Sequence, residues 1–163
     1  MSARPPGRTL QEEIQQSRPF RSQSQEATIA LMRTASIVNR RFARVVETYG
    51  ISLAQYNVLR ILRGAGDNGL PTLAIRDRMI DEGSTVTRLL DKLEKASLVT
   101  RDRSRPDRRQ VLCRITPQGE ALLTTLDPQI DATDLSMMAM LTPEQRASLL
   151  TILAAVRAEF IDS

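Results

Sequence analysis

A chain of 163 residues is long enough to bury a sizeable core and short enough that one domain is expected. With 41% hydrophobic and 26% charged residues the composition is that of an ordinary globular protein. One cysteine and no histidine exclude an intrachain disulfide, an imidazole metal site and the Ser/His/Asp or Cys/His catalytic arrangements. No metal or cofactor is therefore expected, and no convergent nucleophile or carboxylate pair points to an enzyme. No apolar run approaches the roughly 18 residues that cross a bilayer, and the start, MSARPPGRTLQEEIQQ, lacks a secretory apolar segment. A cytoplasmic location without membrane contact is the expectation.

The net charge of +4 conceals an uneven distribution. Residues 117–163 carry two Lys or Arg against seven Asp or Glu, so that part stands at −5 and the preceding part at +9. Such polarity suits a molecule with one anion-facing side and another side committed elsewhere.

In chain order, residues 1–24 read as a flexible arm with room for one short helix, because Pro5, Pro6, Gly7 and Pro19 surround a polar LQEEIQQS. From about Gln25 to Tyr49, Ile29, Met32, Val38, Phe42 and Val45 recur at the spacing of a long helix with one buried stripe, and Gly50 ends it. Ser52 is a plausible N-cap for LAQYNVLRILRGAG, in which Tyr56, Leu59 and Leu62 point one way and glycines 64, 66 and 69 stop the helix. Pro71 suits a helix start in PTLAIRDRM. After IDEG, the segment STVTRLLDKLEKA turns Val86, Leu89, Leu90 and Leu93 inward, while Thr85, Arg88, Lys92 and Lys95 share another face. Two helices joined in this way have the shape of a helix-turn-helix, a shape that simple packing also produces.

The following SLVTRD and RQVLCRIT have strand character and enclose RDRSRPDRR, where five arginines and two aspartates fall within nine residues. Alone, this segment reads equally well as a solvated hairpin tip. Directly behind a helix-turn-helix it reads as the wing of a winged helix. Thr116 before Pro117 and Thr142 before Pro143 are N-cap signals, and Gln145 completes a capping-box pattern with Thr142. The last helix carries Leu149, Leu150, Ile152, Leu153, Val156 and Phe160, more apolar surface than one stripe needs, so part of it is expected to meet a second subunit. The expected fold class is mainly α with a small β wing, a winged helix-turn-helix, as an intertwined homodimer.

Through SLAQYNVLRIL, then STVTRLLDKLEKASLVTRDRSRPDRRQVLCRITPQGEALL, and more weakly LTPEQRASLLTIL, the chain resembles the multiple antibiotic resistance regulator (MarR) family of bacterial transcription factors. The similarity runs over roughly residues 28–160. It implies a single unit over 25–163, with 51–116 as the DNA-binding winged helix and 25–50 plus 117–163 as the dimerisation region. It also implies a pseudo-palindromic duplex-DNA operator and, as the usual mode, repression relieved by a small aromatic or phenolic effector. The alternative function is a winged helix acting mainly through protein–protein contacts.

Carried over by position, the recognition helix spans Ser84 to Lys95, with Ser84, Thr85, Thr87 and Arg88 near the major groove and Lys92 approaching phosphate. An arginine on guanine is worth about 1–3 kcal/mol of discrimination, so Arg88 is the leading residue for direct readout. In the wing, Asp107 and Arg109 match the family pair that shapes the hairpin, leaving Arg105 and Arg108 for the minor groove. Arg41 and Tyr56 are candidate ligand-binding residues, Arg41 as the receiver of a carboxylate. Two positions depart from the family. Ser97 stands where glycine is usual, which strains it if φ is positive there. Cys113 lies in the second wing strand, where a packed thiol is expected instead of an oxidation sensor.

Overall fold

Helical periodicity dominates the computed structural model, which describes residues 8–81, 85–102 and 111–161, with side chains in the last helix as far as 158. The chain divides into two compact units, Met1–Arg41 and Phe42–Ser163. In the first, α1 (Leu10–Glu13) is closed by a capping box between Thr9 and Glu12. A Glu13 carboxylate oxygen lies 3.8 Å from Arg33 Nε on α2 (Gln23–Glu47). The long helix begins two residues earlier than its apolar stripe suggests.

The second unit takes in the end of α2 and then α3 (Leu53–Ala65), a 3-10 turn over Gly66–Asn68, β1 (Leu70–Pro71), α4 (Thr72–Arg76), α5 (Val86–Lys95), β2 (Val99–Asp102), β3 (Leu112–Ile115), α6 (Pro117–Met138) and α7 (Pro143–Ile161). Ser52 caps α3 as expected, and Gln55 returns the bond to the Ser52 N–H, closing a capping box. α3 is the hub, packing against α4, α5, β3 and α6. Its Val58, Leu59 and Leu62 are fully buried with Ile75 of α4, Leu90 and Leu93 of α5 and Leu123 and Leu126 of α6. Arg63 of α3 forks Asp127 of α6 at 2.8 and 2.9 Å, and this guanidinium holds the carboxyl below its ordinary range.

The wing sheet corrects the expected two-stranded hairpin, because it has three strands in the order β1-β3-β2, all antiparallel. Leu70 and Pro71 pair with Cys113 and Leu112 on one edge of β3, and Val99 to Asp102 pair with Ile115 to Leu112 on the other. Pro71 therefore closes a strand and flanks α4 as its N-cap, instead of occupying the first helical position. A proline is tolerated here because β1 is an edge strand. Gly69 makes the approach possible. Its φ is +64°, and a Cβ would stand 2.5 Å from the Cys113 carbonyl oxygen.

α5 ends in a Schellman turn: the Ser97 N–H bonds to the Glu94 carbonyl and the Leu98 N–H to that of Leu93, both at 2.9 Å. This turn needs a left-handed residue, and Ser97 supplies it at φ +59°, which confirms the strain raised by its sequence. Leu98 and Leu93 are buried, as the hydrophobic clasp of this motif requires. Ser97→Gly is expected to stabilise the chain by about 1 kcal/mol, raising Tm by roughly 2–4 °C in a thermal melt. An unchanged or lower Tm would show that the turn relaxes the strain in another way.

Candidate nucleic-acid interface

α5 is amphipathic because its apolar residues recur at three and four. Val86, Leu90 and Leu93 are buried against the core, and Thr85, Thr87, Arg88, Lys92 and Lys95 are exposed. The helix starts at Val86, two residues later than expected. Thr85 is its N-cap: its carbonyl accepts from the Arg88 and Leu89 N–H groups at 3.0 and 3.2 Å, while its hydroxyl makes no capping bond. None of the ion pairs among the described residues involves Arg88, Lys92 or Lys95. The face that should meet DNA thus carries cations not neutralised by those pairs, the arrangement that attracts a polyanion.

Ser84 lies outside the described residues, as do Arg105, Asp107, Arg108 and Arg109. What the structure places is the frame around them. β2 and β3 pair as far as Asp102 and Leu112, and Arg114 on β3 donates from Nε to the Asp67 carbonyl at 2.9 Å, committing it to the fold. On the helix side, the Asn57 side-chain oxygen of α3 accepts the Ile80 N–H at 2.9 Å, anchoring the chain as it leaves α4.

Arg101 is the residue that sequence reasoning passed over. Its side chain is only 9% exposed, although it stands in an arginine-rich segment. Its NH2 nitrogen is 2.6 Å from Asp91 Oδ1, its Nε donates to Glu94 Oε2 at 2.9 Å, and NH2 also donates to that oxygen. The hydrogen bond that it donates to Glu94 is the main reason its pKa is raised further, so it is a permanent cation. One signal for it was legible. Asp91 and Glu94, three apart on one flank of a helix meant to face phosphate, call for a neutralising partner.

Arg41 is exposed on α2, in the first unit. Tyr56 is buried in the core of the second, with the Arg60 guanidinium 5.9 Å from its ring centroid, and burial pushes its hydroxyl pKa up. Cys113 is fully buried, with Sγ 3.9 Å from both Thr72 Oγ1 and the Val111 carbonyl. Burial raises its pKa, opposite to what a reactive thiolate requires. Among the described residues, no group of three His, Cys, Asp or Glu could hold a metal ion, and no helix is long and apolar enough to cross a membrane.

The family model for the transcriptional regulators SarA/Rot matches residues 40–126, which include α3, the wing sheet and α5. The chain is 29% identical over 117 residues to the HTH-type transcriptional regulator MhqR of Bacillus subtilis, covering 72% of this chain and 79% of that protein. A MarR transcription factor from Planctomyces limnophilus is 30% identical and superposes with a TM-score of 0.65, over 84% of this chain and 99% of the other. The fold is also that of BpsR from Bordetella bronchiseptica, whose DNA binding is regulated by 6-hydroxynicotinic acid, at 24% identity, TM-score 0.72, and 81% and 98% coverage.

From its burial, Cys113 should resist iodoacetamide at neutral pH in the folded protein and react readily in denaturant. Rapid modification of the native protein, read by mass spectrometry, would contradict this placement.

Proposed function

The chain belongs to the MarR family of winged helix-turn-helix transcriptional regulators, which bind DNA, and from that premise we propose a sequence-specific repressor of a pseudo-palindromic operator, released by a small aromatic or phenolic effector. One observation carries this reading. α5 buries one face completely and leaves Thr85, Thr87, Arg88 and Lys92 exposed on another, beside the sheet whose tip sequence holds Arg105 and Arg108. Arg88 reads bases in the major groove, Ser84, Thr85 and Thr87 bond to bases or phosphate, Lys92 grips phosphate, and Arg105 and Arg108 reach the minor groove from a hairpin shaped by Asp107 and Arg109. The effector half of the proposal is supported by BpsR, whose DNA binding answers to 6-hydroxynicotinic acid. Arg41 and Tyr56 belong to different units, and each is proposed on its own as a residue that contacts the effector.

The proposed homodimer is supported by surface that one chain leaves uncovered. Leu135 and Met140 are 70% and 67% exposed, and Leu150, Ile152 and Val156 of α7 are also exposed, a group of large apolar residues that water solvates poorly. A second copy covers them in this proposal. Two half-sites about 34–36 Å apart need two rigidly related DNA-binding arms.

Footprinting with purified protein over genomic fragments should protect a two-fold-related site in a salt-sensitive manner; no protected fragment at low salt would end the proposal. Arg88→Ala should relax discrimination among operator variants by about 1–3 kcal/mol. Arg105→Ala or Arg108→Ala should weaken binding evenly across sequences and reduce the salt slope by roughly one per lost phosphate contact. Equal changes for all three would reject this division, and no change would favour a surface used for protein contacts. Sedimentation should show a dimer, and Leu150→Asp with Ile152→Asp should shift it to monomer and abolish the two-fold footprint.

A further inference from the structure

Five arginines fall between positions 101 and 109, and the structure sets the first apart from any role in touching DNA. Arg101 has its side chain 9% exposed and its donors directed at Asp91 and Glu94, which sit three residues apart on the second half of α5. Its backbone is pinned in the wing sheet, where Arg101 pairs with Cys113 of the central strand. One guanidinium therefore joins the helix that carries Arg88 and Lys92 to the strand that leads into the wing tip.

We propose that Arg101 is a positioning residue for DNA recognition: it fixes the rotation and distance of α5 relative to the wing sheet, so that helix and wing meet the two grooves together. This rests on the DNA-binding reading above. Three features favour a geometric role over a purely electrostatic one. A guanidinium offers a planar fork of donors that holds two carboxylates in one arrangement, which an ammonium does not. Asp91 and Glu94 lie on the same flank of α5 as Thr87, by steps of four and three, so tilting that flank displaces a DNA-facing residue directly. The Schellman turn at Ser97 fixes the path of the chain out of α5, and the Arg101 link adds a second, side-chain tie between α5 and β2.

Arg101 also neutralises charge. Asp91 and Glu94 have side chains 49% and 37% exposed, and on a DNA-facing helix two unpaired carboxylates repel phosphate. The test has to separate charge from position. Affinity is measured at one salt concentration for two duplexes of equal length: one enriched by the unaltered protein from a random-sequence pool, and the random pool itself. Arg101→Lys retains the charge and loses the fork. It should lower affinity for the enriched duplex by about tenfold or more, the loss of one well-placed base contact, with little change for the random pool. Asp91→Asn with Glu94→Gln makes the protein more positive and frees Arg101. It should raise random-pool affinity while lowering the ratio of specific to random binding, a split that charge alone does not produce. Adding Arg101→Met to that pair removes the whole cluster and should leave the ratio low.

Circular dichroism and sedimentation check that each variant is folded and dimeric; the two surface carboxylate substitutions keep the test available if Arg101→Met does not fold. A ratio unchanged in folded Arg101→Lys, or restored in the triple variant, overturns the proposal in favour of charge balance. If the unaltered protein enriches no duplex at all, the DNA-binding reading itself fails and this proposal falls with it, an outcome recognisably different from the other two.

Discussion

The Leu98 carbonyl accepts the Thr116 N–H at 3.1 Å and occupies the place that a Cβ on Gly119 would approach to 2.5 Å. The Thr116 hydroxyl donates to the Ser97 carbonyl at 2.7 Å and accepts the Gly119 N–H at 3.1 Å, which caps α6. The end of α5, the start of β2, the end of β3 and the first turn of α6 are thereby tied at one point. Almost every side chain in the knot has a stereochemical reason: Thr116 for a hydroxyl that donates and accepts, Pro117 for an N–H that would go unused, and Gly119 for close approach. Ser97 is the exception, a left-handed position filled by a residue with a Cβ. Because the wing strands leave this knot and return to it, the knot fixes where the chain leaves α5 and where it enters α6.

Arginine is used in this chain for two different purposes, and the partners of each residue separate them. Arg63 and Arg101 are paired with carboxylates on other elements, and Arg114 donates to a backbone carbonyl. These three spend their donors inside the fold. Arg88 stays exposed on the face opposite the core. A bidentate or forked pair fixes direction as well as distance, which suits a structural role. A cation intended for phosphate instead has to stay hydrated and unpaired until DNA displaces its water and counterions. The count of basic residues in a segment is therefore a poor measure of its DNA contacts, and the partners of each one decide.

Local chemistry was legible from sequence and long-range pairing was not. The helices follow from apolar spacing, and the caps at Ser52, Thr116 and Thr142 form as their residue types require. The strain at Ser97 could be suspected only because a family resemblance suggested glycine there. β1 escaped because two residues, one of them proline, carry no period and are strand only by pairing with Leu112 and Cys113. Arg101 escaped for a related reason: it stands in an arginine-rich segment of the sequence, while its neighbours in space are acidic. α5 starts two residues after the Ser84 boundary that the family resemblance implies, because Thr85 is its N-cap.

α7 poses the remaining physical question. Pro143, the capping box at Thr142 and the run of Leu, Ile and Ala make a good helix, yet none of its described side chains is buried, and its apolar residues spread around the axis. A helix apolar all round is stable where it is enclosed, and burying a leucine or isoleucine contributes about 1.5–3 kcal/mol. With Leu150, Ile152 and Val156 uncovered, one chain forgoes several such contributions. Enclosure by the proposed second copy would recover them and make stability depend on protein concentration. The acidic balance of 117–163 fits the same proposal, since a segment at −5 is repelled by DNA. In the proposed dimer, operator affinity and fold stability would be linked through one equilibrium: whatever loosens the apolar contact between protomers would lower both, even when every DNA-facing side chain is intact.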